Sequence, residues 1–380
     1  MKKALLLSNH AKYTYRLRKE LIYELLDQGY SVALICPYGK ELDIFKARGV
    51  QVYDIPFDSH GRNLIQELLL FFRLFYLIFS MRPDIILGYT IKFNIYGNLV
   101  ARMLNIPFIA NITGLGEGFS RDGVLRTMLL AMYRFSFKKV AHIFFQNEKN
   151  RCFFKENHLL NGSNSVLPGS GISFEDFPLQ PFVEQEVTNI LFLSRVTKNK
   201  GINEFLAVAE RFVSSKRNIR FHVAGTLSSD YEEIIHSYVR SDIIDYHGEI
   251  EAVADFMKEM DIIISPSYHE GMSNTLLEAA AIGRPIITSD IAGCKEIVLD
   301  GISGRVVPVK KIDALSEALE ELLELSKVEL EKMGYEGRKF IEKKFDRKFV
   351  IKEYLKAIDK ILQIESDHKE DSNEGISAKA

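Results

Sequence analysis

A strand–helix–strand alternation that begins twice constrains this chain more than any other feature. At the N-terminus Ala4–Leu7 is a short apolar run, and Tyr15–Leu26 places Leu17, Leu21 and Leu25 at helical spacing. Gly29 ends that helix, and Ser31–Cys36 is a second apolar run. The same order returns about 185 residues later as strand Ile190–Leu193, helix Ile202–Phe212 and strand Ile219–Ala224. Runs that are apolar throughout, rather than alternating, belong to parallel sheets covered by helices on both faces. The expected architecture is therefore α/β: two Rossmann-like domains whose parallel sheets face each other across a cleft, with ligands at the carboxyl ends of the strands. A length of 380 residues accommodates two such domains.

Proline and glycine concentrate at Leu167-Pro168-Gly169-Ser170-Gly171 and again at Pro178–Pro181, which marks the linker. The expected division is 1–180 for the first Rossmann-like domain and 181–345 for the second. A C-terminal helix over 346–364 packs back toward the first domain, and the polar tail 365–380 is expected to be disordered.

Several chemistries are excluded early. Forty-nine basic residues against fifty-one acidic ones leave no basic excess, so nucleic acid is not an expected partner. Cys36, Cys152 and Cys294 are too few and too scattered for a disulfide scaffold or a zinc site. The four apolar residues after Met1-Lys2-Lys3 are too few for a signal peptide, and no eighteen-residue apolar run exists, so a cytoplasmic protein is expected. There is no D-x-D pair, no H-E-x-x-H, no G-x-S-x-G and no phosphate loop of the G-x-x-x-x-G-K type. Gly114-Leu115-Gly116-Glu117-Gly118-Phe119 lacks the third glycine of a dinucleotide fingerprint and does not follow the first strand. No metal and no cofactor are expected.

What remains lies in the second half. Ile262–Ile264 reads as a buried strand, and Ser265–Gly271 as the loop leaving its carboxyl end. Ser273 or Asn274 can cap a helix over Thr275–Ile282 that stops at Gly283, with Pro285 beyond. The start of such a helix offers free amides and a positive dipole end, which suit a phosphate. Glu270 and Glu278 bracket that start. After the other strand, Arg195 and Lys200 flank a short loop that ends at Gly201. Two cations at a strand end beside a helix N-terminus suit a diphosphate and can neutralise a leaving group without a metal. Lys198, between them, reads as solvated surface.

These residues resemble those of the retaining family-four glycosyltransferases with the GT-B fold. The resemblance is carried by Ser194-Arg195 with Lys200-Gly201, by Glu270-Gly271-Met272-Ser273-Asn274 and by Glu278-Ala279. It continues through Gly283-Arg284-Pro285-Ile286-Ile287, Gly293-Cys294-Lys295-Glu296-Ile297-Val298 and Asp300-Gly301-Ile302-Ser303-Gly304. It implies that Glu278 holds the ribose, that Glu270 and the segment Gly271, Met272, Ser273, Asn274 and Thr275 contact the donor sugar and phosphates, and that Arg195 and Lys200 bind the diphosphate. The implied chemistry is retaining transfer by front-face attack, in which a donor phosphate oxygen takes the acceptor's proton. Glu270, Arg195 and Lys200 are then the catalytic set.

The first half departs from that pattern. Thr113 stands before Gly114 where many relatives carry a histidine, and Asn9-His10-Ala11-Lys12 replaces a glycine-rich loop. Thr90–Gly97 and Thr113–Gly116 are similar instead to a bacterial subset that builds surface polysaccharides, such as O-antigen or capsule, on a polyprenyl-diphosphate carrier. Thr113, Gly114, Gly116, Lys92, Asn94 and His10 are thereby the expected acceptor-side residues, with an exposed surface histidine the alternative for His10. Leu64–Phe79 is almost wholly apolar, and Arg121–Lys139 interleaves five cations with large apolar residues. Both suit peripheral attachment to an anionic membrane surface, on the inner face of the cell membrane. The function implied is transfer of an N-acetylhexosamine or hexose from a UDP-sugar to a lipid-linked saccharide. The alternatives are a nucleotide-sugar epimerase or hydrolase on the same plan, and a non-catalytic two-domain sugar binder.

Overall fold

The computed structural model describes residues 1–56, 64–115, 119, 123–213 and 218–377, with side chains left aside for 64 and 364–377. The chain forms two compact units, Met1–Ser170 with Lys348–Ala380, and Gly171–Arg347. The first break falls ten residues ahead of the 180/181 boundary expected from the proline-rich stretch. Gly171 and Phe177 to Pro181 belong to the second unit's packing: Ile172 and Phe177 are in its core, and Arg284 donates to the Gln180 and Pro181 carbonyls.

In the first unit seven parallel strands run in the order β3-β2-β1-β4-β5-β6-β7. They are β1 Lys3–Leu7, β2 Ser31–Cys36, β3 Gln51–Asp54, β4 Ile85–Tyr89, β5 Phe108–Ile112, β6 His142–Phe145 and β7 Ser163–Val166. Each central strand is buried on both faces, as its unbroken apolar run requires. One face is covered by α3 (Leu64–Met81), α4 (Ile91–Leu104), α5 (Val124–Ser136) and α6 (Glu148–Glu156). The other carries α1 (Ala11–Asp27), α2 (Glu41–Ala47) and the returning helix α13 (Arg347–Ser377), whose Val350, Tyr354, Ile358 and Leu362 are buried there. The backbone of α13 continues past Ile364, where the apolar periodicity ends, to Ser377.

In the second unit six parallel strands run β10-β9-β8-β11-β12-β13. They are β8 Thr188–Leu193, β9 Ile219–Ala224, β10 Asp245–Tyr246, β11 Ile262–Ser265, β12 Ile286–Ser289 and β13 Gly304–Val307. Helices α7 (Ile202–Val213), α8 (Glu232–Arg240) and α11 (Ile312–Leu323) cover one face, and α9 (Val253–Met257) and α10 (Asn274–Ala281) the other. Helix α12 (Lys327–Lys344) closes the end, opened by a capping box in which Ser326 and Glu329 satisfy each other's amides.

Strand order reverses once in each sheet, between β1 and β4 and between β8 and β11. At such a switch point the helices after neighbouring strands leave to opposite faces and open a crevice at the carboxyl ends.

Candidate active site

The switch point of the second unit is bordered by the segments after β8 and β11. Ser194 to Thr197 leaves β8, Lys198–Lys200 makes a single 3₁₀ turn, and Gly201 opens α7. Gly201 has φ +77°, and a Cβ there would lie 2.1 Å from the Pro266 carbonyl oxygen. Only glycine allows the two segments to touch, which explains the residue at this position. The backbone joins them further, since the Tyr268 amide donates to the Asn199 carbonyl at 2.9 Å.

Glu270 and Lys200, seventy residues apart in sequence, form an ion pair at 2.5 Å, with side chains 14% and 18% exposed. The Ser267 hydroxyl donates to the same Glu270 oxygen at 3.0 Å. Arg195 is exposed at the start of the loop. Helix α10 begins at Asn274, one residue earlier than its apolar pattern suggested, with Ser273 as N-cap accepting from the Leu276 amide at 3.4 Å. That cap leaves the Asn274 and Thr275 amides without intrahelical acceptors, the arrangement that suits an anion. Met272 is buried against the core below. Glu278 lies one turn into α10 and is 1% exposed. The Gly271–Ser273 segment is held by Gly293: the Ser273 amide donates to its carbonyl at 2.8 Å, and a Cβ on Gly293, with φ +87°, would come within 2.4 Å of the Gly271 oxygen.

Spacing gave no sign of two supporting groups. Tyr268 donates its hydroxyl to Glu204 at 2.6 Å, a buried bond from the loop to α7 across 64 positions. Burial and that carboxylate push the Tyr268 hydroxyl far above its ordinary range, so it stays a donor. Lys310 lies over the Tyr268 ring at 4.7 Å. The loop thus presents Glu270 from a backbone fixed at three points.

The expected acceptor-side residues that are described follow β1, β4 and β5, neighbouring strands of the first unit. His10 is exposed as the N-cap residue of α1, its ring 4.7 Å from that of Tyr13, after β1 at the switch point. Lys92 pairs with Glu67 of α3 at 2.5 Å, and the Tyr96 hydroxyl donates to the same carboxylate at 2.8 Å. Asn94 is buried, its amide donating to the Asn111 carbonyl of β5 at 2.8 Å. Thr113 and Gly114 follow β5 directly, and Gly116 lies outside the described residues. Thr90, between β4 and α4, has φ +69°, an uncommon conformation for a β-branched residue and absent from any reading of the sequence.

Helices α3 and α5 both pack on α4. The inner side of α3, Leu70, Leu74, Ile78 and Met81, is core, yet its outer side is also largely apolar: Ile65, Leu68, Leu69, Phe72, Tyr76 and Phe79 are exposed, Phe72 to 63%, with Arg73 the one exposed charge among the described side chains of the helix. An ordinary covering helix would carry mostly charged and polar residues there. On α5, Val124, Leu125, Met128 and Phe135 are exposed beside Arg134, and Lys138 and Lys139 follow. Among the described residues no helix is long and apolar enough to cross a membrane.

The family model described as "Glycosyl transferase 4-like" matches residues 3–147, and "Glycosyl transferases group 1" matches residues 187–325. The chain is 26% identical over 376 residues to the N,N'-diacetylbacillosaminyl-diphospho-undecaprenol alpha-1,3-N-acetylgalactosaminyltransferase of Campylobacter jejuni, covering 94% of this chain and 98% of that protein. It is 22% identical to the UDP-Gal:alpha-D-GlcNAc-diphosphoundecaprenol alpha-1,3-galactosyltransferase of Escherichia coli, covering 78% and 81%. Among solved structures, Anabaena HepE in complex with UDP and glucose superposes with a TM-score of 0.77 at 12% identity, covering 95% of this chain and all of that one. Sucrose-phosphate synthase from Thermosynechococcus elongatus superposes with a TM-score of 0.79 at 13% identity, covering 96% and 100%.

Proposed function

From the premise that this chain belongs to the glycosyltransferases, its first half 4-like and its second half of group 1, we propose that it transfers a hexose or N-acetylhexosamine from a UDP-sugar to a lipid-linked saccharide. The observation that carries this reading is the convergence of Lys200, Glu270 and the first turn of α10 at the switch point of β8 and β11. The likeness to transferases named for diphospho-undecaprenol acceptors supports the acceptor class, and bacterial surface-glycan assembly is the setting it suits.

Arg195 and Lys200 bind the donor diphosphate, with the Asn274 and Thr275 amides, and Glu278 binds the ribose. Glu270 contacts the sugar on the side that Lys200 does not occupy. The acceptor hydroxyl attacks the anomeric carbon from the face the diphosphate leaves. The bond from that carbon to the phosphate oxygen breaks, its electron pair stays on UDP, and the hydroxyl proton passes to a phosphate oxygen. Configuration is retained, and the chain need supply neither a base nor a metal, since two cations and aligned amides offset the developing charge. The exposed apolar side of α3, with the cations of α5, seats the enzyme on an anionic membrane surface where such acceptors reside.

The test is donor-limited kinetics of Arg195→Ala and Lys200→Ala, each expected to lose about 1.5–3 kcal/mol, roughly ten- to hundred-fold in kcat/KM. Wild-type values in both would remove the diphosphate assignment. Product analysis with and without acceptor separates transfer from epimerisation or hydrolysis, which alter the donor alone. Flotation with anionic liposomes tests the membrane seat, and Leu69→Glu with Phe72→Glu should abolish it.

A further inference from the structure

Transfer makes no use of a group of donors at the β9–β10 edge of the second sheet. His222 sits within β9, on the face opposite Phe221 and Val223. Asp245 pairs with it in register on β10, and His247 follows, its amide bonded to the Val223 carbonyl at 2.9 Å. His222 Nδ1, a carboxylate oxygen of Asp245 and a ring nitrogen of His247 all lie within 4.8 Å of one another.

The hydrogen bonds around them set the tautomer. Asn189 Nδ2 donates to the Glu259 carbonyl at 3.2 Å, which turns Asn189 Oδ1 toward His222 Nε2 at 3.0 Å. His222 Nε2 therefore carries the proton, and Nδ1 presents a lone pair. That lone pair faces His247 Nε2 at 3.0 Å and Asp245 Oδ2 at 3.6 Å. A ligating histidine whose other nitrogen is anchored on a second acceptor is the usual outer support of a metal site. Without an ion His247 Nε2 donates to His222 Nδ1, and on binding His247 keeps its proton on Nδ1 instead. Two nitrogens on a tetrahedral zinc ion are about 3.3 Å apart, so the pair has only to open by a few tenths of an ångström. Arg220 holds both Asp245 oxygens, at 2.5 and 3.0 Å, yet each carboxylate oxygen keeps a second lone pair. Arg220 also has Asp242 at 3.7 Å to balance its charge.

We infer that His222, Asp245 and His247 bind a divalent first-row transition cation of the zinc class, which ties the edge strand β10 to β9 and, through Asn189, to β8. Two imidazoles and a carboxylate are the donor set such ions select over calcium or magnesium. This site is independent of the transfer reading, and its test reads metal rather than turnover.

Tag-free protein, stripped with chelator and desalted, is titrated with Zn²⁺ by calorimetry and with Co²⁺ by visible absorption. One equivalent should bind, with Co²⁺ showing the intense visible bands of a low-coordinate site. His247→Ala should weaken Zn²⁺ binding at least ten-fold, and Asn189→Ala, which touches no ion, ten- to hundred-fold. The absence of a stoichiometric equivalent in the wild type would overturn the inference. So would variants that bind like the wild type, since the ion would then sit on other surface histidines. Should His247→Ala misfold, the wild-type Co²⁺ spectrum and Asn189→Ala still decide the matter.

Discussion

The Lys200–Glu270 pair makes a prediction that separates stability from donor binding. Side chains 18% and 14% exposed lie between a surface pair, worth about 0–1 kcal/mol, and a buried one whose breaking costs about 3–5 kcal/mol. Lys200→Ala should therefore destabilise the second unit by about 1–2 kcal/mol, roughly 2–8 °C in Tm for a unit of this size. Glu270→Ala should lose a similar amount, and the double variant less than the sum, with a coupling of about 1 kcal/mol or more. Ligand binding then divides the two. Lys200→Ala should weaken UDP binding ten- to hundred-fold by loss of a charge-assisted bond. Glu270→Ala removes a carboxylate from beside the diphosphate, so UDP should bind as well or better while turnover of the UDP-sugar falls. The assay is calorimetry of UDP with all four proteins, alongside thermal melts. Additive melting losses together with an unchanged UDP affinity in Lys200→Ala would refute both the pair and its role.

Gly201→Ala should cost about 2–4 kcal/mol, combining a left-handed backbone with a Cβ 2.1 Å from the Pro266 oxygen, and should depress kcat/KM because both loops must shift. Thermal melting and kinetics check it. Tyr268→Phe leaves the Glu204 carboxylate buried without its hydroxyl donor, with an expected loss of about 1–3 kcal/mol and a larger effect on KM for donor than on acceptor. His142, lodged between Ser163 and Ser165, has its affinity for a proton lowered by burial to a pKa of about 4. The unfolded chain takes up that proton first, so stability should fall as pH drops from about 6.5 toward 4, by up to about 2 kcal/mol after screening. His142→Gln should flatten that slope in urea melts. In excess EDTA at 25 °C, wild-type kcat is expected to persist; its abolition, with His247→Ala equally affected, would show that the transfer step requires a metal.

The sequence by itself determined the architecture, because buried parallel strands must be apolar along their whole length and the helices between them must show period 3.6. Strands Ser31–Cys36 and Ile219–Ala224 have the bounds the sequence marked, although β9 carries Arg220 and His222 within it. It also marked the loops after β8 and β11, since glycine, cap residue and clustered charges are local signals. Only the tertiary structure decided which of these side chains meet. Lys200 reaches Glu270 across seventy positions and Tyr268 reaches Glu204 across sixty-four, and no short-range pattern encodes such pairs. Asn94 likewise meets its partner only in the fold, its amide turned inward to a carbonyl of β5. The histidines illustrate the same limit. His222 and His247 lie twenty-five residues apart with no ligand spacing, and parallel pairing of β9 with β10 brings a nitrogen of one ring within 3.0 Å of a nitrogen of the other. Periodicity reports how one segment is buried, whereas contact between segments depends on sheet order and register, which arise only when the whole core packs.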